Sequence, residues 1–154
     1  MNESVLVRLE SKLKELAIHY RLTTHEPVFT SEEAARIRGA SLASGAKALI
    51  VKMDEEFSLL VIPADRKLDS KKVRQQTGAK SIRFATREEV EKLTTLLPGS
   101  IPPFGSLFGI PTRCDPSLGE SEIINFNAGD HSVSCAMRFQ DYLKAENPGF
   151  FSMS

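Results

Sequence analysis

Apolar residues in the first segment recur with a helical period. Leu6, Leu9, Leu13, Leu16, Ala17 and Tyr20 fall on one stripe, with Glu10, Lys12, Lys14 and Glu15 off it. Ser4 is placed to cap the resulting helix over residues 5–20. Residues 23–29 read as an extended link, because Pro27 keeps Glu26 out of helix. Thr30-Ser31-Glu32-Glu33 is a capping box that opens a second helix, and Gly39 suits its end. Two apolar runs, 46–53 and 57–62, flank Asp54-Glu55-Glu56. Their length and acidic separator predict a β-hairpin with both strands largely buried. Asp69 caps a further helix closed by Gly78, and 81–85 is a short strand. Thr86-Arg87-Glu88-Glu89 is another capping box, whose helix must stop before Pro98.

Residues 97–116 break the pattern. Pro98, Pro102, Pro103, Pro111 and Pro116 alternate with Gly99, Gly105 and Gly109, yet Phe104, Leu107 and Phe108 lie among them. Apolar side chains need burial, so the stretch reads as an ordered loop with a fixed backbone, of the kind that lines sites. Downstream, 122–126 and 131–137 flank Asn127-Ala128-Gly129-Asp130 as a second hairpin. His131, Val133, Cys135 and Met137 share one face of its second strand. Residues 138–145 form a closing helix, Asn147-Pro148-Gly149 stops it, and the rest is a frayed tail. The expected architecture is mixed α/β (α+β), one domain over 1–154, with about six short strands and four helices.

Composition narrows the class. With 154 residues, 41% hydrophobic and 26% charged, the chain fits one ordinary globular domain. No run approaches the 18 or so apolar residues of a membrane span, and no signal peptide opens the chain, so a cytoplasmic protein is expected. Cys114 and Cys135 show neither CxxC nor Cys/His spacing; two buried reduced thiols are expected, with no metal and no cofactor. Twenty Lys and Arg balance twenty Asp and Glu, which speaks against a nucleic-acid coat protein and against DNA as a partner. The zero is uneven, however. Residues 66–83 hold Arg66, Lys67, Lys71, Lys72, Arg74, Lys80 and Arg83 against Asp69 alone, a net +6 between flanks of −2 and −4. Such a stretch binds phosphates at one face, or is a solvated helix face with acids nearby in space.

Catalytic signatures such as GxSxG, HExxH, the P-loop and GxGxxG are absent from the sequence. Three features remain. Lys47 enters an apolar strand just after Gly45-Ala46, where it either reaches a pocket or snorkels to water. His131 shares a face with Val133 and Cys135, rimming a cavity or serving as a structural histidine. Gly99-Ser100-Ile101-Pro102-Pro103-Phe104-Gly105 is able to hold successive backbone N–H groups in one orientation, or is a structural turn.

These segments, together with His25-Glu26-Pro27-Val28-Phe29-Thr30-Ser31-Glu32-Glu33-Ala34-Ala35, Gly45-Ala46-Lys47-Ala48-Leu49-Ile50-Val51-Lys52 and Asn127-Ala128-Gly129-Asp130-His131, resemble the YbaK/prolyl-tRNA-synthetase-associated domain family. Order and spacing match over residues 20–145. The resemblance implies a mixed, partly barrel-like β-sheet of six to seven strands wrapped by helices. It also implies hydrolysis of mischarged aminoacyl-tRNA, chiefly tRNA-Pro carrying Ala or Cys, with Ser or Thr as further candidates. A chain of 154 residues has no room for a synthetase body, so it resembles the free-standing, trans-editing kind. The family's lysine carries over to Lys47, its GxxxP loop to Gly99, Ser100, Ile101 and Pro103, and the histidine of its alanine-editing branch to His131. The resemblance also implies that a hydroxyl of the terminal ribose assists, which would account for the missing triad. Ala48 stands where members often have Asn or Thr, leaving the amino-acid specificity open. In this reading Tyr20, Val28, Phe29, Phe104 and Gly129 shape the substrate pocket, and Lys52, Arg66, Lys67, Lys71, Lys72 and Arg74 meet the tRNA acceptor end. An aminoacyl-tRNA synthetase is a second candidate partner. The alternatives are a non-catalytic module that holds an acceptor end or a synthetase, and a hydrolase of small acyl esters.

Overall fold

The central hairpin organises the molecule. In the computed structural model, which describes residues 4–154, β2 (Ala46–Met53) and β3 (Glu56–Pro63) pair antiparallel from Ala46↔Pro63 to Met53↔Glu56. Every residue of β3 from Ser58 to Pro63 is buried, because both faces of the hairpin are covered. Leu59 and Val61 enter a large cluster with Ile50, Phe104, Phe126 and Tyr142. Leu60 and Ile62 join Val51, Met53, Val73 and Met153 on the other face, as the two-residue period of a pleated strand requires. Fully burying each such side chain contributes about 1.5–3 kcal/mol, so the hairpin is the energetic anchor of both clusters.

Around it, β4 (Ile82–Phe84) pairs antiparallel with β2, while β5 (Thr112–Cys114) and β8 (Gly149–Phe150) add in parallel beyond β3, in the order β4-β2-β3-β5-β8. A second, antiparallel sheet runs β1-β7-β6, with β1 (Tyr20–Thr24), β6 (Ile123–Asn127) and β7 (Val133–Arg138). Among the described residues the eight strands thus divide between two sheets, in place of the single six- to seven-stranded sheet expected. The sheets touch through a parallel bridge, Gly45↔Asn125, and the candidate site opens beside it. Five α-helices among the described residues complete the domain: α1 (Val5–Glu15), α2 (Ser31–Arg38), α3 (Ser70–Thr77), α4 (Arg87–Thr94) and α5 (Phe139–Glu146). The caps sit at Ser4, Thr30, Asp69 and Thr86. Of the two expected boxes, Thr86 with Glu89 is reciprocal and Thr30 with Glu33 is not, since the Thr30 hydroxyl, not its N–H, donates to the Glu33 carboxylate.

Two expectations are corrected. The first helix ends at Glu15 rather than Tyr20. Ala17 adopts φ 55°, Ile18 N–H donates to Leu13 O, and Tyr20–Thr24 becomes a strand because β7 offers it a ladder. The tail is not frayed. β8 pairs with β5, Met153 is fully buried, and the Asp115 carboxylate accepts from Met153 N–H (3.0 Å) and Ser154 Oγ–H (2.6 Å).

Candidate active site

A cavity of about 200 Å³ lies where α2, the start of β2, the end of β6 and the 97–104 loop converge. The link before α2 supplies Val28 and Phe29, and its backbone is pinned to the second hairpin through Val28 N–H to His131 O (3.1 Å). β2 supplies Lys47, the loop supplies Gly99 and Ile101, and His131 closes the opposite side. Gly99 takes φ +90°, and its Cα is packed so closely on the imidazole that a Cβ would sit 3.2 Å from His131 Nε2. Phe29, 73% exposed, lays its ring against His131 with centroids 4.7 Å apart and a tilt of 36°.

The loop's backbone is held on both sides. Ser100 N–H and Oγ–H both donate to Leu97 O, Ser100 O accepts from Gly129 N–H, and Pro103 O accepts from the buried Tyr142 hydroxyl. The Gly99 and Ile101 amides have no acceptor among the described residues, and both residues line the cavity.

Lys47 is half-buried, and its Nζ donates to Arg66 O at 3.0 Å. Burial lowers its pKa, Glu32 opposes that, and neighbouring Lys67 reinforces it. The contact joins the cavity to the head of the basic stretch. Of that stretch, Arg66 and Lys67 occupy the turn after β3, Lys71, Lys72 and Arg74 lie on α3, and all are exposed. Only Arg83 finds a carboxylate within salt-bridge distance among the described residues, at Glu89 (2.8 Å); Lys72 donates to Ser154 O. Lys52 stands apart, 3.9 Å from Glu55 and over the Phe57 ring.

Of the sequence-derived candidates, Lys47, Gly99, Ile101, His131, Val28 and Phe29 therefore meet in one cavity. Ser100 and Pro103 are buried behind it as parts of the loop. Tyr20, Phe104 and Gly129 lie outside the lining. The Tyr20 hydroxyl donates to Glu10, Phe104 is in the core against Phe126 and Tyr142, and Gly129 packs on Val5. Arg38 and Asn127 line the cavity without having been expected there. Arg38 sits at the end of α2, where a cation is unremarkable, and Asn127 read as part of a turn. Both thiols are fully buried, and burial is the main cause that pushes each up to about 12, so neither is a nucleophile. Among the described residues no cluster of three His, Cys, Asp or Glu is able to hold a metal, and no helix is long and apolar enough to cross a membrane.

Comparison with known proteins places this geometry in context. Residues 25–145 match the family model of the aminoacyl-tRNA editing domain. The multifunctional Ser/Thr-tRNA deacylase ProXp-y of Escherichia coli K12 is 33% identical over 92% of this chain and 87% of its own. The prolyl-tRNA editing protein ProX of Acetoanaerobium sticklandii is 27% identical over 87% and 85%. The proline–tRNA ligase of Shouchella clausii is 33% identical over 66% of this chain but only 18% of the ligase. A crystal structure of a candidate trans-editing enzyme for prolyl tRNA synthetase superposes with a TM-score of 0.87 at 21% identity, covering 100% of this chain and 99% of that one.

Proposed function

The chain belongs to the aminoacyl-tRNA editing domain family, and on that premise we propose that it is a trans-acting deacylase that hydrolyses tRNA-Pro carrying Ser, Thr, Ala or Cys. The observation that carries the reading is the convergence of Lys47, the Gly99 loop and His131, remote in sequence, on one small cavity. The trans-acting role is carried over from the E. coli deacylase, which this chain matches over 87% of that protein's length at 33% identity.

Among the described residues no Asp, Glu or Cys lines the cavity, so it offers no carboxylate base and no thiol nucleophile. An aminoacyl ester is already activated, and its hydrolysis needs a positioned water and a stabilised oxyanion more than a strong nucleophile. Water adds to the ester carbonyl carbon. The Gly99 and Ile101 amides and the partly desolvated Lys47 ammonium face the charge that develops on the carbonyl oxygen. The ester C–O bond then breaks and the ribose oxygen leaves with a proton, giving a free amino acid and an intact tRNA 3′ end. Val28 and Ile101 provide apolar walls, His131 limits the side-chain space, and the exposed Phe29 ring offers a face to the terminal base. A cavity this small admits short side chains, as a second sieve does. Arg66 and Lys67 continue from the Lys47 contact toward α3, a path for acceptor-stem phosphates.

The test is a panel of tRNA-Pro charged with Ala, Cys, Ser or Thr, incubated with the wild type and with Lys47→Ala. Hydrolysis of at least one substrate by the wild type, and its loss in the variant, is expected. If none is hydrolysed above the buffer rate the deacylase reading fails, and tRNA binding without turnover would favour the non-catalytic module.

A further inference from the structure

Arg38 is a cation without an anion. Its guanidinium, drawn against the cavity wall by the end of α2, has neutral partners: Nε–H donates to Ser134 Oγ (2.8 Å) and Nη2–H to Asn127 Oδ1 (2.9 Å). No carboxylate lies within salt-bridge distance of it among the described residues, and burial lowers its pKa without a compensating charge. The α2 dipole suits a cation here by about 0.3–1 kcal/mol, but no ion pair offsets the burial of the guanidinium.

Hydrogen-bond direction gives the guanidinium a role. A guanidinium only donates, so the atom of Asn127 that faces Arg38 must be the carbonyl oxygen. The amide nitrogen of Asn127 is thereby turned to Gly99 O, which it reaches at 2.6 Å. With a partner able to accept, the Asn127 amide would be free to flip and set an oxygen against that carbonyl. Ser134 completes the support. It accepts from Arg38, and His25 Nδ1–H donates to Glu26 O (2.8 Å). With Nδ1–H committed to Glu26 O, the neutral His25 ring accepts from Ser134 Oγ–H at Nε2 (2.7 Å), so the hydroxyl is engaged on both sides.

The consequence falls on one peptide unit. The Gly99–Ser100 peptide has its carbonyl held by Asn127 and its N–H held by Leu97 O, so its plane is locked along both edges. The free amides of Gly99 and Ile101 belong to the peptides that precede and follow this one in the chain, so a fixed central plane limits where they can point. We propose that Arg38 is a positioning residue of this site, acting through Asn127 to set the peptide plane from which the loop's amides address the ester. This rests on the deacylase reading above.

Arg38→Met, Arg38→Lys, Asn127→Asp and the double variant Arg38→Met/Asn127→Asp test it. Asn127→Asp still accepts from Arg38 but has no proton for Gly99 O. The kinetic readout is kcat and KM on the mischarged tRNA that the wild type hydrolyses best. Amide hydrogen exchange across 97–104, read by mass spectrometry without substrate, is a readout independent of catalysis. Arg38→Met and Asn127→Asp should each lower kcat by about 10- to 100-fold with KM little changed, the scale on which misplaced catalytic groups act. Both should speed exchange across 97–104, and the double variant should be no slower than the worse single, because both act on one carbonyl. Arg38→Lys, with a donor but no fork, should recover part of the kcat lost in Arg38→Met. Unchanged kcat, multiplicative losses in the double variant, or unchanged exchange in both singles would overturn the proposal. A wild type that hydrolyses no substrate would sink the deacylase reading alone, and faster exchange in both singles would still support the Arg38–Asn127 coupling to the loop.

Discussion

Substituting Gly99 with alanine separates backbone strain from loss of chemistry. At φ +90° an L-residue is strained, and the new Cβ would lie 3.2 Å from His131 Nε2 and 3.9 Å from its Cδ2. The strain costs about 1–2 kcal/mol, and a partly exposed imidazole gives way by a few tenths of an ångström for little more. Gly109→Ala is the matched control. That glycine has φ +72°, nothing within 4 Å of a Cβ, and a place outside the cavity lining, after the 3₁₀ turn Gly105–Phe108. Both variants should therefore melt about 2–8 °C below the wild type, at the 2–4 °C per kcal/mol usual for a domain of this size. Their chemistry should differ. The methyl added in Gly99→Ala pushes His131 and the loop apart at the point where the ester must sit, a displacement that costs up to about 100-fold in rate. Thermal melts followed by single-turnover deacylation, well below both melting points, give the comparison. Equal loss of stability with loss of activity in Gly99→Ala alone is the expected pattern. Full activity in Gly99→Ala, or an equal loss in Gly109→Ala, would refute a catalytic role for this backbone.

Three further outcomes follow from the charges. Lys67→Gln removes a neighbour that lowers the Lys47 pKa, so the alkaline limb of kcat/KM, corrected for spontaneous ester hydrolysis, should move to higher pH; an unmoved limb would mean that Lys47 does not act as a cation. Asp115 is 2% exposed; burial acts to raise its pKa, but hydrogen bonds from Ser154, Met153 and Ser117 outweigh it and hold the carboxyl at about 2. With an unfolded value near 3.9, its contribution of about 2 kcal/mol is complete above roughly pH 5 and disappears as pH falls through 2. Urea midpoints should show that acid-side loss in the wild type and a reduced one in Asp115→Asn, which is already weakened at pH 7; identical profiles would contradict it. Reversing Arg66, Lys71 and Arg74 to Glu should weaken tRNA binding and flatten its dependence on log salt by about 0.7–0.9 per lost phosphate contact, whereas an unchanged slope assigns the stretch to solvated surface.

Elements announced by local chemistry were legible in the sequence. The caps at Ser4, Thr30, Asp69 and Thr86 and the hairpin over 46–62 all stand where side-chain type and period put them. What escaped depends on remote partners. The stripe through Leu16, Ala17 and Tyr20 continues a helical period, but Tyr20 pairs with Met137 and Thr24 with Val133, and a ladder across more than a hundred residues outweighs a weak local preference. β5 and β8 are too short to carry a period, and their parallel pairings have no turn to mark them. Met153 is buried because Asp115 captures its backbone, a contact invisible from either residue alone.

The same distinction runs through the site. Lys47, Gly99 and His131 were visible because each breaks a local rule: a cation inside an apolar strand, a glycine among prolines beside aromatic residues, a histidine on an apolar face. Arg38 breaks none, since the last turn of a helix is where a cation suits the dipole and the free carbonyls. Asn127 and Ser134 are likewise ordinary beside a turn and in a strand. Their importance arises only when α2 is laid across the ends of β6 and β7, so that a residue able only to donate dictates which way an amide faces. Groups placed to touch a substrate must have unusual chemistry, and that chemistry shows in the sequence. Groups that orient them need only ordinary chemistry in the right direction, and direction is a property of the fold. In this molecule the trace it leaves is an energetic anomaly, a half-buried arginine that no acid repays.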